Sequence, residues 1–459
     1  MEEVLKLGFM EITDMKNICE VKKFANFKAS GLSLITENLR TFLNCEVLMQ
    51  LTPVAKFEEH FNIDIHTNIN RYCYHISENM VALIIKIYGK VNGSIEAVLP
   101  IVLVGENIAC IENSLFESLA KLLSKRVTEC RSNSFHGGTS LFGDDFIREA
   151  ISKCLVSKQY DFSRIMYLVE LFEKLASITF EGNYFTTGLI LSRSLYEYCG
   201  KNGEDRKGKL RRINKYYDIL KKPSIDKRFW YLIDGASSFY LMDQTFVIKQ
   251  TFTRDEKETK LIDYFDFYFL DNTLMGGDIA FRVIGPNEVS IITKKGYEFI
   301  KIEGKWRIRN FAWLDTYLAN SIELDVEIRR TVIYYVTLCA QRHCSAIIWI
   351  PKDESESEID KVISSKNKIW KDDLDLIDEM NKTIIQRIIS SDGVTIINKK
   401  GKIIYCGAIV KLNVKKEKGL MGTGENAAKI LGQNGVAIKI SQDGDIKIFT
   451  NSLDKPTIY

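Results

Sequence analysis

The period of the apolar residues keeps changing between residues 325 and 449, and that order constrains the fold more than any other feature of the chain. Ile328, Val332, Tyr335, Val336 and Cys339 recur at helical spacing. The run Ser345-Ala346-Ile347-Ile348-Trp349-Ile350-Pro351 then reads as a buried strand. A helix is predicted over residues 374–389, ending at Ser390-Ser391-Asp392-Gly393. Residues 394–397 and 402–407 read as a hairpin turned at 398–401. Gly422-Thr423-Gly424-Glu425-Asn426-Ala427-Ala428 opens a further helix, and residues 435–448 form a hairpin turned at Asp443-Gly444. Helices and strands alternating in this way imply an α/β fold, a mixed sheet flanked by helices.

Upstream, residues 81–88 and 96–104 read as strands and 114–125 as a helix, so 1–131 is expected to be a small α/β domain. Residues 140–312 read as a middle domain, two helices over 146–175 and β from about 230, and 313–455 as the third domain. Between the first two lies Ser134-Phe135-His136-Gly137-Gly138-Thr139-Ser140. Two glycines and hydroxyls suit a phosphate loop, but the lysine of a P-loop is missing, and a linker is the favoured reading.

Residues 201–228 hold 11 Lys/Arg against 4 acids, a local excess of +7, with Tyr216 and Tyr217 among them. Phosphate or nucleic-acid contact competes here with a solvated helix face beside a mobile loop, and the latter is favoured. Over the whole chain 63 Lys+Arg balance 60 Asp+Glu, so no nucleic-acid partner is expected. The hydrophobic share of 46% excludes a mainly disordered chain. Apolar runs such as 97–104 fall far short of the roughly 20 residues that span a bilayer. With an acidic start at Met1-Glu2-Glu3 and no CxxC among 10 scattered cysteines, a reduced cytoplasmic protein without membrane attachment is expected. His60, His66, Cys73 and His75 are conceivable metal ligands, but their spacing matches no known ligand pattern, and packing roles are preferred.

The ordered set over residues 325–449 resembles the diadenylate cyclase (DisA_N, or DAC) family. In that family an Asp-Gly-Ala motif opens a hairpin, a Gly-Thr-Arg-His-Arg-Ala-Ala loop enters a helix, and a Ser-Glu-Glu-Thr-Gly hairpin closes the domain. Asp392-Gly393-Val394, Gly422-Thr423-Gly424-Glu425-Asn426-Ala427-Ala428 and Ser441-Gln442-Asp443-Gly444-Asp445 stand in the same order and between the same elements.

The departures bear on function. The family's Arg-His-Arg triplet holds an ATP triphosphate, and its place is taken here by Gly424-Glu425-Asn426. Two lost charge-assisted phosphate contacts, at about 1.5–3 kcal/mol each, remove several kcal/mol, and Glu425 adds repulsion. The resemblance therefore implies a catalytically degenerate sensor of a nucleotide or cyclic nucleotide, of the kind found in bacterial signalling or phage defence. Its ligand-binding residues would be Asp392 and Gly393 at a ribose hydroxyl, Gly422, Thr423 and Gly424 at phosphate, and Ser441 and Asp443 at a polar edge. Lys411, Lys415, Lys416 and Lys418 would add diffuse positive charge. No catalytic residue, cofactor or resident metal is assigned; Mg or Mn enters only if the domain is an active cyclase or nucleotidyltransferase with a rebuilt phosphate site. A scaffold for protein contacts is the third reading. A homodimer and an effector protein are partners implied by the resemblance.

Overall fold

The computed structural model describes residues 9–10, 29–50, 70–77, 79–88, 95–105, 108–109, 111–132, 144–156, 160–195, 208–221, 225–254, 266–411, 423–450 and 457–458. The protein is α/β and divides into two compact units, Met1–Asp255 with Leu270–Asn310 and Glu256–Phe269 with Phe311–Tyr459.

In the N-terminal unit, β1 (Phe9–Met10), β2 (Glu46–Gln50), β3 (Cys73–Ser77), β4 (Met80–Tyr88) and β5 (Ile95–Val104) form a sheet in the order β1-β2-β5-β4-β3. Helices α1 (Ala29–Leu43), α2 (Asn113–Ser132), α3 (Asp144–Leu155) and α4 (Phe162–Ser177) accompany it. Ile165, Leu168, Val169, Phe172 and Leu175 bury one stripe of α4, and Asp161 caps it by accepting from the Arg164 amide.

After the hairpin β6 (Thr179–Phe180) and β7 (Asn183–Tyr184) comes a larger sheet. Its members are β8 (Thr187–Leu191), β9 (Gly208–Asp218), β10 (Ser238–Met242), β11 (Val247–Arg254), β12 (Ile279–Gly285), β13 (Glu288–Thr293), β14 (Tyr297–Ile302) and β15 (Lys305–Asn310). They lie in the order β15-β14-β13-β12-β8-β10-β11-β9. The short helix α5 (Lys227–Tyr231) and α6 (Asp266–Thr273) interrupt the run of strands. One apolar core draws residues from Ile35 on α1 through to Ile308 on β15.

The C-terminal unit holds α7 (Phe311–Ser321), α8 (Val326–Gln341), β16 (Ala346–Pro351), α9 (Glu356–Val362), β17 (Ile363–Asn367), β18 (Leu374–Asp375), α10 (Lys382–Ile389), β19 (Val394–Ile397), β20 (Lys402–Val410), α11 (Thr423–Gly432), β21 (Gly435–Ile440), β22 (Ile446–Phe449) and β23 (Thr457–Ile458). Its sheet runs β17-β20-β19-β16-β21-β22-β23. It is mixed, because β16 pairs parallel with β19 and antiparallel with β21. Alternation along β16 sends Ile347 and Trp349 to the face covered by α11, where they pack with Ala427, Ala428 and Leu431.

Two expectations are corrected. The basic segment is not a helix face: residues 208–218 form β9, whose two ends, 208–212 and 217–218, pair along β11 on either side of a bulge. The helix expected over 374–389 begins only at Lys382, since Leu374 and Asp375 pair with Ile403 and Lys402 of β20. Asp375 and Asp378 then accept from the amides of Ile377 and Met380, local turns that compete with helix. The loop 134–140 and His60 and His66 lie outside the described residues. The described cysteines are free thiols, and burial pushes that of Cys73 up to about 12. Among the described residues no helix is long and apolar enough to cross a membrane.

Candidate functional site

Asp392 and Gly393 form the corner between α10 and β19. Gly393 has φ +90°, and a Cβ there would stand 2.7 Å from the Gly407 carbonyl carbon of β20. Only glycine fits both the dihedral and the approach. Asp392 is exposed, and its carboxylate accepts from the Gly393 amide at 2.9 Å. The corner therefore presents the rest of the Asp392 carboxylate to solvent at the start of β19.

Strand register shows what shares that end of the sheet. Ile347 of β16 pairs with Val394, so Ser345 and Asp392 each stand two residues before the pair. Ala346 pairs with Ile440 of β21, so the next step outward brings Ser345 beside Ser441. Asp392, Ser345 and Ser441 thus line one end of three neighbouring strands, each about 4.8 Å from the next.

Ser441 to Gly444 make the β21–β22 turn. Ser441 donates its amide to the Asp445 carbonyl at 2.9 Å, and Gly444, at φ +88°, donates to the Ser441 carbonyl at 3.0 Å. His343 beyond α8 reaches over to this turn, its Nδ1 donating to the Gln442 carbonyl at 3.0 Å. Asp443 is exposed at the tip.

Lys439 joins the turn to α11. It lies one residue inside Ile440, on the side of β21 that faces α11. Its ammonium donates to Ser345 Oγ at 2.5 Å and to the Ile440 carbonyl at 2.7 Å. A Cβ on Gly424 would be 3.0 Å from Lys439 Cε, so the lysine stem lies across the first turn of α11. Across the hairpin, Lys439 pairs directly with Lys447, whose ammonium bonds Glu425 Oε2 at 3.0 Å.

Two lysines side by side therefore share one directly bonded carboxylate. Desolvation lowers the Lys439 pKa, opposed by the charges of Asp443 and Glu425 and aided by that of Lys447. A cation held by two neutral oxygens, beside the amides that open a helix, is chemically suited to an anion.

Thr423 is the exposed first residue of α11, and Gly424 packs on Lys439. Gly424, Ser441 and Asp443 are thus gathered around Lys439, with Thr423 adjoining. Asp392 joins them through strand register. Gly422, Lys415, Lys416 and Lys418 lie outside the described residues, and Lys411 is taken up by the Asp360 carbonyl.

A shallow, open groove with about 10 Å³ of room for water lies on the other side of Asp392. Asn367, Lys368, Trp370, Asp373, Tyr405 and Cys406 are among its lining residues. A Cβ on Gly407 would lie 3.4 Å from Asn367 Nδ2 and 3.6 Å from the Asp392 carbonyl oxygen, so the groove begins at the Asp392 corner. Its volume is room for about one water, so the groove is a shallow feature of the surface.

Sequence reasoning missed Lys439, Ser345, Lys447 and His343. The available signal was parity: in Gly435-Val436-Ala437-Ile438-Lys439-Ile440, Lys439 has the inward parity of Ala437. A lysine at an inward strand position is unusual enough to single out.

No protein-family model matches the chain, and no curated protein matches it. Among solved structures, one it is similar to is described as the hypothetical membrane spanning protein from Bacillus cereus. The identity is 14%, the match covers 31% of this chain and 70% of that chain, and the TM-score is 0.26. Another is a double mutant of DacA from Staphylococcus aureus, at 18% identity over 29% of this chain and 87% of that chain, with a TM-score of 0.22.

Proposed function

We propose that the C-terminal unit is a sensor that binds a nucleotide or cyclic nucleotide, a catalytically degenerate relative of the diadenylate cyclase domains its motifs resemble. Lys439 carries the reading. It is a desolvated cation with no carboxylate bonded to it among the described residues, set among Ser345, Gly424 and the 441–444 turn, and at the end of the sheet where Asp392 stands.

In this reading a phosphodiester charge rests on Lys439 and Thr423, and Asp392 accepts from a ribose hydroxyl. Glu425, fixed to Lys447 in the first turn of α11, opposes a triphosphate and tolerates the single charge of a phosphodiester. A homodimer and an effector protein that reads the liganded state belong to the same proposal.

The protein is first incubated with each NTP and Mg²⁺ or Mn²⁺, and the nucleotides are separated by chromatography. Intact nucleotides are expected. A new product that disappears in Asp392→Asn overturns the sensor reading in favour of a nucleotidyltransferase. Calorimetry against cyclic di-AMP, cyclic di-GMP and cyclic GMP-AMP follows. Binding lost in Asp392→Ala and Lys439→Ala supports the site, and binding unchanged in both removes it. No binding by the parent leaves the unit as a scaffold.

A further inference from the structure

The balanced charge of the whole chain conceals a segregation. Residues 201–228 carry +7 of a total of +3, so the remainder carries −4. Most of the described part of that segment is β9, at the end of the eight-stranded sheet and paired on one side by β11. Among the described residues no strand pairs its outer edge.

Three features make this edge unusual. Lys209, Arg211, Arg212 and Lys215 are all exposed, and among the described residues none of the four has an ion pair. The strand is also strongly bulged: Gln250 pairs with Arg212 and Ile248 with Tyr217, so Lys249 alone faces the four residues 213–216. Ile213 packs against the core, while Asn214, Lys215 and Tyr216 stand out, Tyr216 at 60% exposure.

The platform beneath is stiff. Tyr217 stacks on Phe229 at 4.0 Å, and Phe229 on Tyr240 at 4.2 Å. This stack fixes α5 beside β9. Charged edges commonly guard a sheet against pairing with another chain. That guard does not by itself call for four cations that pair with no acid among the described residues, or for a bare tyrosine ring pushed out by a bulge. The only acid in β9, Asp218, is taken by Lys221 at 3.3 Å.

We propose that the β9 edge, with Lys209, Arg211, Arg212, Lys215 and Tyr216, binds single-stranded nucleic acid. The cations follow the phosphates, and the Tyr216 ring stacks on a base. Cations interleaved with exposed aromatic rings recognise unpaired strands, because every base offers a π-face once it is unstacked. A duplex offers its phosphates but hides those faces. This proposal is independent of the C-terminal site.

Fluorescence anisotropy of the full chain with a labelled oligothymidylate, over a series of salt concentrations, tests it. Four phosphate contacts predict a slope of log K against log salt of about −3. Arg211→Glu/Arg212→Glu is expected to weaken binding by about tenfold or more and to flatten the slope by roughly 1.4. Tyr216→Ala is expected to weaken it about tenfold while leaving the slope in place. Lys305→Glu/Lys400→Glu makes the same change in net charge elsewhere and is expected to bind as the parent does. Circular dichroism and thermal melting establish that each variant is folded.

Absence of binding at physiological salt overturns the proposal. So does equal weakening in the Lys305→Glu/Lys400→Glu control. Duplex of the same length bound as tightly with no effect of Tyr216→Ala, or phosphatidylserine vesicles or polyglutamate competing as well as oligothymidylate, overturns the assignment to single strands.

Discussion

Lys439→Met separates a binding lysine from a structural one. Two opposing effects set its influence on stability. It removes the cross-strand repulsion with Lys447, worth about 0.2–1 kcal/mol, together with the desolvation of an ammonium. It also removes the bonds to Ser345 Oγ and the Ile440 carbonyl, about 1.5–3 kcal/mol for a charged donor and less where water takes its place. The net change in unfolding free energy is expected to stay within about 1–2 kcal/mol. Ligand affinity has no such offset: one charge-assisted bond to phosphate corresponds to a loss of roughly 10- to 150-fold. Urea denaturation reads the first quantity, and calorimetry with the cyclic dinucleotide that binds the parent reads the second. Lys447→Met gives the contrast, since it strands Glu425 half-buried without its cation and is expected to cost about 1–3 kcal/mol. If Lys439→Met lost more than about 3 kcal/mol of stability and kept its affinity, the lysine would be a structural brace and the phosphate assignment would fall.

Affinity for that ligand is expected to fall on raising the pH at a lower pH than an ordinary lysine would give. The Lys439 pKa is lowered by desolvation and the ligand requires its charged form, so calorimetry in a series of buffers should show proton uptake on binding. Gly393→Ala combines strain at φ +90° with a contact of 2.7 Å on the Gly407 backbone, and is expected to cost about 2–4 kcal/mol in urea melts. Gly407→Ala, whose nearest contact is 3.4 Å, should cost about half as much, and equal costs would refute the close-approach account. In the N-terminal unit, Glu173 accepts from Arg148 at 2.8 Å, Lys301 at 2.8 Å and Trp306 at 3.2 Å. Burial alone would raise its pKa, but the bonds from Lys301 and Arg148 hold it below the ordinary carboxylate range. Its contribution is therefore present above about pH 4.3 and is lost as the pH falls through the lowered folded-state value. Glu173→Gln is expected to cost about 2–3 kcal/mol at neutral pH and to flatten the acid limb of the stability curve.

Local physics explains which parts of the fold were legible in the sequence. β16, the 394–410 hairpin and α11 could be read because their periods are carried by residues on the faces they bury. The stretch 374–389 misled because Leu374, Ile377, Ile385 and Ile388 share a helical spacing while Asp375 and Asp378 turn the backbone with their own carboxylates. β9 was obscured because a bulge breaks the alternation that would have revealed a strand.

The candidate site was half legible for a related reason. Asp392, Thr423 and Ser441 stand in motifs whose order can be read along the chain. Ser345 meets Ser441 only through the register of β16 on β21, and Lys439 meets Gly424 only because α11 lies on that strand. Comparing Gly424-Glu425-Asn426 with the family's triplet counts two lost cations and one gained carboxylate. The geometry adds what such a comparison leaves out: Lys447 bonds Glu425, and Lys439 lies against the first turn of α11 at Gly424. On the proposed reading, the charge that the loop lacks is in part supplied from the strand beneath it. The supply in that reading is one cation bonded only to neutral oxygens among the described residues, enough for a phosphodiester and too little for the roughly four charges of a nucleoside triphosphate.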